Sequence, residues 1–185
     1  MREAENIPGK EAVEPFRKLF PFKSRYLDVG KGRLHYVDEG KGPVLLLMHA
    51  CPMWSFSFRR IIAEFSRHYR VIAVDQMGFG LSDKPENCDY RLEAHIDNLE
   101  KLVEELDLKN LVLIMQGRGA TIGIAFAIHH PNLIRGFVVF NSMAFSDYSL
   151  PLRLQLCRVW WLGAKLVLGL NSFSRDLKKL GPEIA

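Results

Sequence analysis

Apolar and polar residues follow two spacings that alternate along the chain. Short, mainly apolar runs predict six strands, at Ser24–Val29, Arg33–Asp38, Val44–Met48, Tyr69–Val74, Leu111–Met115 and Gly136–Phe140. Apolar residues at steps of three and four predict helices at Trp54–Phe65, Leu92–Leu106 and Ala120–His130. The Gly30-Lys31-Gly32 turn between the first two strands predicts a hairpin.

This alternation predicts an α/β fold, in which helices cover both faces of a mostly parallel sheet. Reactive groups in such sheets lie just beyond the carboxyl ends of the strands. Four segments are therefore candidates for a site: His49–Pro52, Asp75–Ser82, Gln116–Gly119 and Asn141–Phe145. We divide the chain into a polar lead-in (1–20), an α/β core (21–145) and a partial helical cap segment (146–185), in which Leu152–Leu170 predicts a helical excursion over the sheet.

Composition narrows the class of protein. With 185 residues, 48% hydrophobic and 25% charged, the chain is expected to form one globular domain. Its net charge of +4 arises from residues 151–185 and is too diffuse for a nucleic-acid-binding arm, so we expect no nucleic-acid partner. The apolar runs are too short to span a membrane, and the charged N-terminus has no apolar core of a secretory signal.

Cysteine usage indicates a reducing compartment. Cys51, Cys88 and Cys157 are an odd and widely spaced set, which matches neither a disulfide framework nor a zinc site. We therefore expect a cytoplasmic location, no metal and no cofactor.

Three motifs resemble a known family. They read RLHYVDEG at Arg33–Gly40, LMHACPMWSF at Leu47–Phe56 and DQMGFGLSDKP at Asp75–Pro85. Together they resemble the α/β-hydrolase fold and, within it, the haloalkane-dehalogenase-like branch, most of all the olefin-biosynthesis enzymes that decarboxylate β-lactones. The likeness covers about residues 20–175, and the segment from Leu150 resembles the start of that family's cap. It implies a hydrolase-type core that is truncated after the start of the helical cap.

The nucleophile position departs from this family. The family reads His-Asp-Trp-Gly-Gly at the sharp turn between strand and helix, where the aspartate attacks carbon and the tryptophan holds the leaving halide. Here the turn reads Gln116-Gly117-Arg118-Gly119. Gly117 has no side chain to attack with, and Arg118 replaces the tryptophan. The resemblance therefore implies a vestigial elbow.

The loop that stabilises negative charge in the family is also altered. The family reads His-Gly-Asn-Pro, and this chain reads His49-Ala50-Cys51-Pro52. With Arg118, the first three of these residues form a vestigial oxyanion and halide site. The family's catalytic base is a histidine after the last strand, whereas all six histidines here lie at or before residue 130. The leading hypothesis is a catalytically degenerate relative whose small-molecule substrate is unknown.

Two alternatives remain open at this stage. The chain can be a binding or assembly module, associating with itself or with a partner chain at the open sheet edge along Gly136–Phe140. It can also be an active hydrolase that uses Cys51 or a base supplied by a partner.

Several polar residues have simpler structural interpretations, which we favour. We expect His49 to order its loop, Cys51 to fill space, and Asp75 and Asp83 to stabilise the loop between them. His129 and His130 suit a helix end. Arg118 is either an anion ligand or a residue of the pocket wall. Packing within the cap is favoured over membrane anchoring for Trp160-Trp161.

Overall fold

The computed structural model describes residues 17–142, in which six strands form one sheet. The strands are β1 (Ser24–Asp28), β2 (Arg33–Glu39), β3 (Val44–Met48), β4 (Arg70–Val74), β5 (Leu111–Gln116) and β6 (Ile134–Phe140). Their order across the sheet is β1-β2-β4-β3-β5-β6. The β1–β2 hairpin and the β2–β4 pair are antiparallel, and the other three pairs are parallel. The predicted mostly parallel sheet is confirmed.

Three α-helices connect the parallel strands: α1 (Arg59–Phe65), α2 (Leu92–Glu105) and α3 (Arg118–His129). Short 3₁₀ helices precede α1 at Ser55–Phe58 and precede β6 at Pro131–Leu133. The predicted single helix over Trp54–Phe65 is therefore wrong in its first half. The predicted start of α3 at Ala120 is also late by two residues, because the turn at Gly117 leads directly into the helix.

Alternate residues of each central strand enter two separate hydrophobic clusters. Leu46 and Met48 of β3 belong to one cluster, and Leu45 and Leu47 belong to the other. Successive strand side chains point to opposite faces, so the clusters lie on opposite faces of the sheet. The first cluster contains the apolar residues of α2 and α3, and the second contains Ile62 of α1. The expectation that helices cover both faces is confirmed for the central strands.

Phe20 belongs to the second cluster and is fully buried, although it lies at the end of the predicted polar lead-in. Its ring packs against Trp54 at a centroid distance of 5.3 Å and against Phe56 at 5.9 Å. The predicted cap segment, including Leu152–Leu170 and Trp160-Trp161, lies outside the described residues. Between residues 17 and 142, no helix has the length and apolar character needed to cross a membrane.

Candidate functional site

The turn at Gly117 joins β5 directly to α3 at the carboxyl edge of the sheet. Gly117 has φ 53° and ψ −123°, a backbone conformation that L-residues rarely adopt. Its N–H donates to the carbonyl of Phe140 at 3.2 Å, which ties the turn to the end of β6. The turn is therefore a strand-to-helix elbow of the kind that holds a nucleophile in hydrolases, built around a residue without a side chain.

Ala50 lies against the place where a side chain at residue 117 would begin. A Cβ added to Gly117 would lie 2.8 Å from the Cβ of Ala50, well inside ordinary van der Waals contact. A Cβ at Gly119 would collide with the carbonyl groups of Met48 and His49. The start of α3 is therefore in close contact with the loop that follows β3, and the methyl group of Ala50 takes space that a nucleophile would need.

His49 is buried, and both of its ring nitrogens are engaged. Nδ1 donates to the carbonyl of Ala50 at 2.9 Å, and Nε2 accepts from the backbone N–H of Gln76 at 3.0 Å. The Gln76 side-chain amide also donates to the carbonyl of His49 at 3.3 Å. Burial lowers the pKa of His49 below its ordinary value and keeps the ring neutral. This arrangement supports the prediction that His49 orders its loop, and it leaves neither nitrogen available as a base for Cys51.

Cys51 is expected to be a small apolar filler, but the residue is exposed, which argues against that role. Desolvation raises the pKa of its thiol, and the positive charge of Arg118 opposes that effect only in part. A thiol with a raised pKa is protonated at neutral pH, and the protonated form is a poor nucleophile.

Arg118 occupies the first position of α3 and is half-buried. Its Nη2 donates to the carbonyl of Tyr90 at 3.2 Å, so the guanidinium reaches across to the segment before α2. This contact is compatible with both interpretations of Arg118 from the sequence, as an anion ligand and as a residue of the pocket wall. The structure thus brings together the residues expected at the site, namely His49, Ala50, Cys51, Gly117, Arg118 and Gly119.

Asp75, at the end of β4, is a fully buried hydrogen-bond acceptor. Oδ1 accepts from the N–H of Ser55 at 2.7 Å, and Oδ2 accepts from the N–H of Leu81 and from His35 Nδ1, both at 2.9 Å. Burial acts to raise the pKa of Asp75, but the hydrogen bond and charge of His35 and weaker partners leave it below the ordinary value. The predicted loop-stabilising role of Asp75 is confirmed.

The matching family model is that of the alpha/beta hydrolase fold, and it covers residues 43–168. The chain belongs to the α/β-hydrolase fold family. A cis-3-alkyl-4-alkyloxetan-2-one decarboxylase of Shewanella oneidensis is 38% identical over 169 residues, which are 88% of this chain and 53% of that protein. Haloalkane dehalogenase 2 of Mycobacterium bovis is 39% identical over 128 residues, which are 69% of this chain and 45% of that protein.

Solved structures agree with this assignment. The haloalkane dehalogenase DatA from Agrobacterium tumefaciens C58 has a TM-score of 0.76 and 28% identity, over 84% of this chain and 55% of that one. This α/β-hydrolase-fold chain therefore spans about half the length of the relatives that it matches. The predicted family, its haloalkane-dehalogenase-like and β-lactone-decarboxylase-like relatives, and the fold class are confirmed.

Within this α/β-hydrolase fold, other polar groups have structural partners. Ser24, His35 and Asp75 are hydrogen-bonded in the serine–histidine–aspartate arrangement of a hydrolase triad, with Ser24 Oγ 3.1 Å from His35 Nε2. The His35 side chain is fully buried, however, so we interpret these three residues as a structural network. This network joins β1, β2 and the loop after β4. Asp83 accepts two hydrogen bonds from the Arg33 guanidinium, both at 3.1 Å, and one from the Arg33 N–H at 2.8 Å.

The histidine pair at the end of α3 also has a structural partner. His130 Nε2 lies 2.8 Å from Glu100 Oε1, and His129 Nδ1 lies 3.8 Å from the same oxygen. Over residues 17–142, no group of three His, Cys, Asp or Glu side chains is arranged to hold a metal ion.

Proposed function

We propose that this chain is a catalytically degenerate member of the haloalkane-dehalogenase-like branch, which keeps the hydrolase scaffold without the covalent chemistry of its relatives. The observation that carries the proposal is the elbow at Gly117. Its backbone has the strained geometry that presents a nucleophile, yet residue 117 has no side chain. Ala50 leaves too little room there for one. An attacking group is therefore lacking where the fold would place it.

The neighbouring residues support the same proposal. A hydrolase that used Cys51 would need a thiolate and a nearby base. The Cys51 pKa is raised, and both ring nitrogens of His49 already have backbone partners. Cys51 and Cys88 are both free thiols, which supports the cytoplasmic location that we propose with this function.

The first prediction concerns turnover. We expect the purified chain to release no halide from haloalkanes, to hydrolyse no nitrophenyl esters and to decarboxylate no β-lactones above the buffer rate. The physical reason is that the nucleophile is absent and that the loop which stabilises negative charge in the family is altered at Ala50 and Cys51, so the usual sources of residual acceleration are also impaired. Halide release, absorbance and gas chromatography of the olefin product measure the three reactions.

Cys51→Ala is the control that makes this result informative. Activity in the wild-type chain that disappears in Cys51→Ala would contradict degeneracy and establish Cys51 as the nucleophile. The matched variant is Cys88→Ala, which removes a free thiol in the segment between β4 and α2 and is expected to change no rate.

A second candidate function is association through β6, and a specific surface favours it. β6 lies at the edge of the sheet formed by residues 17–142. Phe137, Val138, Val139 and Phe140 are exposed by 53%, 40%, 41% and 45%. Successive residues of a strand point to opposite faces, so both faces of β6 present apolar surface. An apolar edge strand is a template for pairing with another strand.

We accordingly expect the chain to form dimers or larger assemblies at micromolar concentration. A Val139→Lys substitution is expected to shift the population towards the 21.2 kDa monomer, because a lysine on an edge strand opposes strand pairing. Size-exclusion chromatography with light scattering measures the mass. Ile128→Lys is the matched control, since Ile128 is an exposed apolar residue of α3 and not of the edge. A wild-type chain that stays monomeric at these concentrations would contradict this function.

A further inference from the structure

The C-terminal part of β6 is its regular part. β6 pairs with β5 in parallel, and the register advances evenly from Gly136 to Phe140. On the N-terminal side of Gly136 the register skips Arg135, so the ladder is irregular there. Val138 is therefore the central residue of the regular part.

Two residues of this regular part direct their backbone polar groups away from β5. The carbonyl of Phe140 accepts from the N–H of Gly117, so the backbone groups of Phe140 point towards β5. The N–H and C=O of one strand residue point to the same side, and those of the next residue point to the other side. Phe137 and Val139 therefore direct both groups to the edge, where no strand formed by residues 17–142 pairs with them.

The two edges of the sheet differ in charge. At the β1 edge, Arg25 and Asp28 are exposed, and charged residues on an edge strand oppose pairing with another chain. Arg135 is the one charged residue of β6, and it precedes the regular part. The β6 edge is therefore the one whose side chains permit pairing.

We propose that β6 pairs with β6 of a second copy of this chain, in antiparallel orientation about a two-fold axis at Val138. This inference rests on the association through β6 proposed above, and it names the partner and the register. A two-fold axis perpendicular to the sheet brings the same edge of two copies together, so the two strands run antiparallel. The pairing occupies the β6 edge of both copies, and the assembly therefore stops at a dimer.

The direction of the backbone groups restricts the register. Opposite residues of an antiparallel pair either exchange two hydrogen bonds or exchange none. With the axis at Val138, Phe137 lies opposite Val139 of the second copy, so this pair and its symmetry mate each exchange two hydrogen bonds. A shift by one residue would set outward groups against inward groups and lose these bonds. A shift by two residues would bring Arg135 or Asn141, which lie outside the regular part, into the ladder.

The side chains of the regular part complement each other in this register. Phe137 opposite Val139 is an aromatic and β-branched pair, which stabilises a sheet. On the other face, Val138 lies opposite its own counterpart, and Gly136 lies opposite Phe140 of the second copy. A Cβ at Gly136 would meet no atom within 4 Å, so this glycine faces open space that a phenylalanine ring can cover.

Amide hydrogen exchange of the wild-type chain, measured by NMR at several protein concentrations, tests the pairing. One strand per copy offers less surface than the about 800 Å² per partner of a standard interface, so we expect the dimer to exchange with the monomer. The amides of Phe137 and Val139 should gain protection as the concentration rises, in step with the mass measured by light scattering. The amides of Val138 and Phe140 point towards β5 and are the internal control, with protection expected at every concentration.

The outcomes separate this pairing from the association on which it rests. A chain that stays monomeric contradicts both. A chain that associates while the exchange rates of Phe137 and Val139 stay constant overturns the pairing but not the association. Assemblies larger than a dimer overturn the two-fold pairing in the same way.

Val138→Cys tests the register, in a chain whose Cys51, Cys88 and Cys157 are replaced by alanine. Directly opposite residues of a pair without hydrogen bonds have Cα atoms about 4.5 Å apart, which suits a disulfide. We therefore expect air oxidation to link two copies of this variant. Val139→Cys is the matched control, because its counterpart lies two residues further along, beyond the limit of about 7 Å for a disulfide. Failure of Val138→Cys to link, or linkage of Val139→Cys in its place, would overturn the register.

Discussion

Replacing Asp75 with asparagine is expected to lower the free energy of unfolding by about 3–5 kcal/mol. The carboxylate receives three donors, from Ser55, Leu81 and His35, and all three are in the interior. An asparagine has nearly the same shape but only one acceptor oxygen, so its amide group must face at least one N–H. That contact leaves buried donors unsatisfied, each at full desolvation cost. Urea unfolding of the full chain, followed by circular dichroism, measures the loss.

Asp83→Asn is the matched control for this effect. Asp83 also binds a basic group, Arg33, but its side chain is 27% exposed and that of Arg33 is 35% exposed. Partly exposed ion pairs contribute about 0–1 kcal/mol, so we expect a small change in this variant. If both variants lost the same free energy of unfolding, burial of the Asp75 network would not be what determines its contribution to stability.

The strands, and the covering of the sheet by helices on both faces, are well predicted because the spacing of apolar residues in a strand directly reflects which side chains are buried. In β3, all five residues are apolar, and alternate residues do pack into the clusters on opposite faces. The hairpin of β1 and β2 is equally predictable, since glycines flank its turn. The position of the elbow follows from the order of the segments and from the family resemblance.

Contacts between distant segments are what the sequence does not reveal. Asp75 is recognisable as a loop residue, but its partner His35 lies 40 positions earlier on another strand. His95 belongs to the apolar stripe of α2, and nothing in that spacing indicates that its Nε2 is buried without a hydrogen-bond partner among residues 17–142. The start of α3 was predicted too late because Gly117 and Gly119 are poor helix formers. Glycines are required at these two positions because the loop after β3 lies so close that there is no room for side chains.

Restoring an aspartate at the elbow is expected to destabilise the fold rather than to repair the enzyme. Gly117→Asp places a side chain at φ 53° and brings its Cβ to 2.8 Å from that of Ala50. Backbone strain costs about 1–3 kcal/mol and overpacking costs a similar amount, so we expect a loss of about 2–6 kcal/mol. Chemical unfolding measures this loss, and Gly117→Ala separates the effect of the added Cβ from that of the carboxylate.

Ala50→Gly provides the second half of this experiment. Alone, it removes a methyl group and adds freedom to the unfolded chain, at a cost of about 0.4–1 kcal/mol. Combined with Gly117→Asp, it removes the clash, so the double variant should be more stable than Gly117→Asp by about 1 kcal/mol or more. Additive effects of the two substitutions would contradict the close contact between residues 50 and 117.

The double variant also tests whether space for a nucleophile is sufficient for catalysis. An alkyl ester at residue 117 would have to be hydrolysed by a water molecule activated by a base. His49 borders the elbow, but its two nitrogens hold Ala50 and Gln76 in place. We therefore expect at most one alkyl adduct per chain in intact-mass spectrometry, and no continued release of halide. Repeated turnover by the double variant would show that the chain retains a working base, and it would limit the proposed degeneracy to residues 50 and 117.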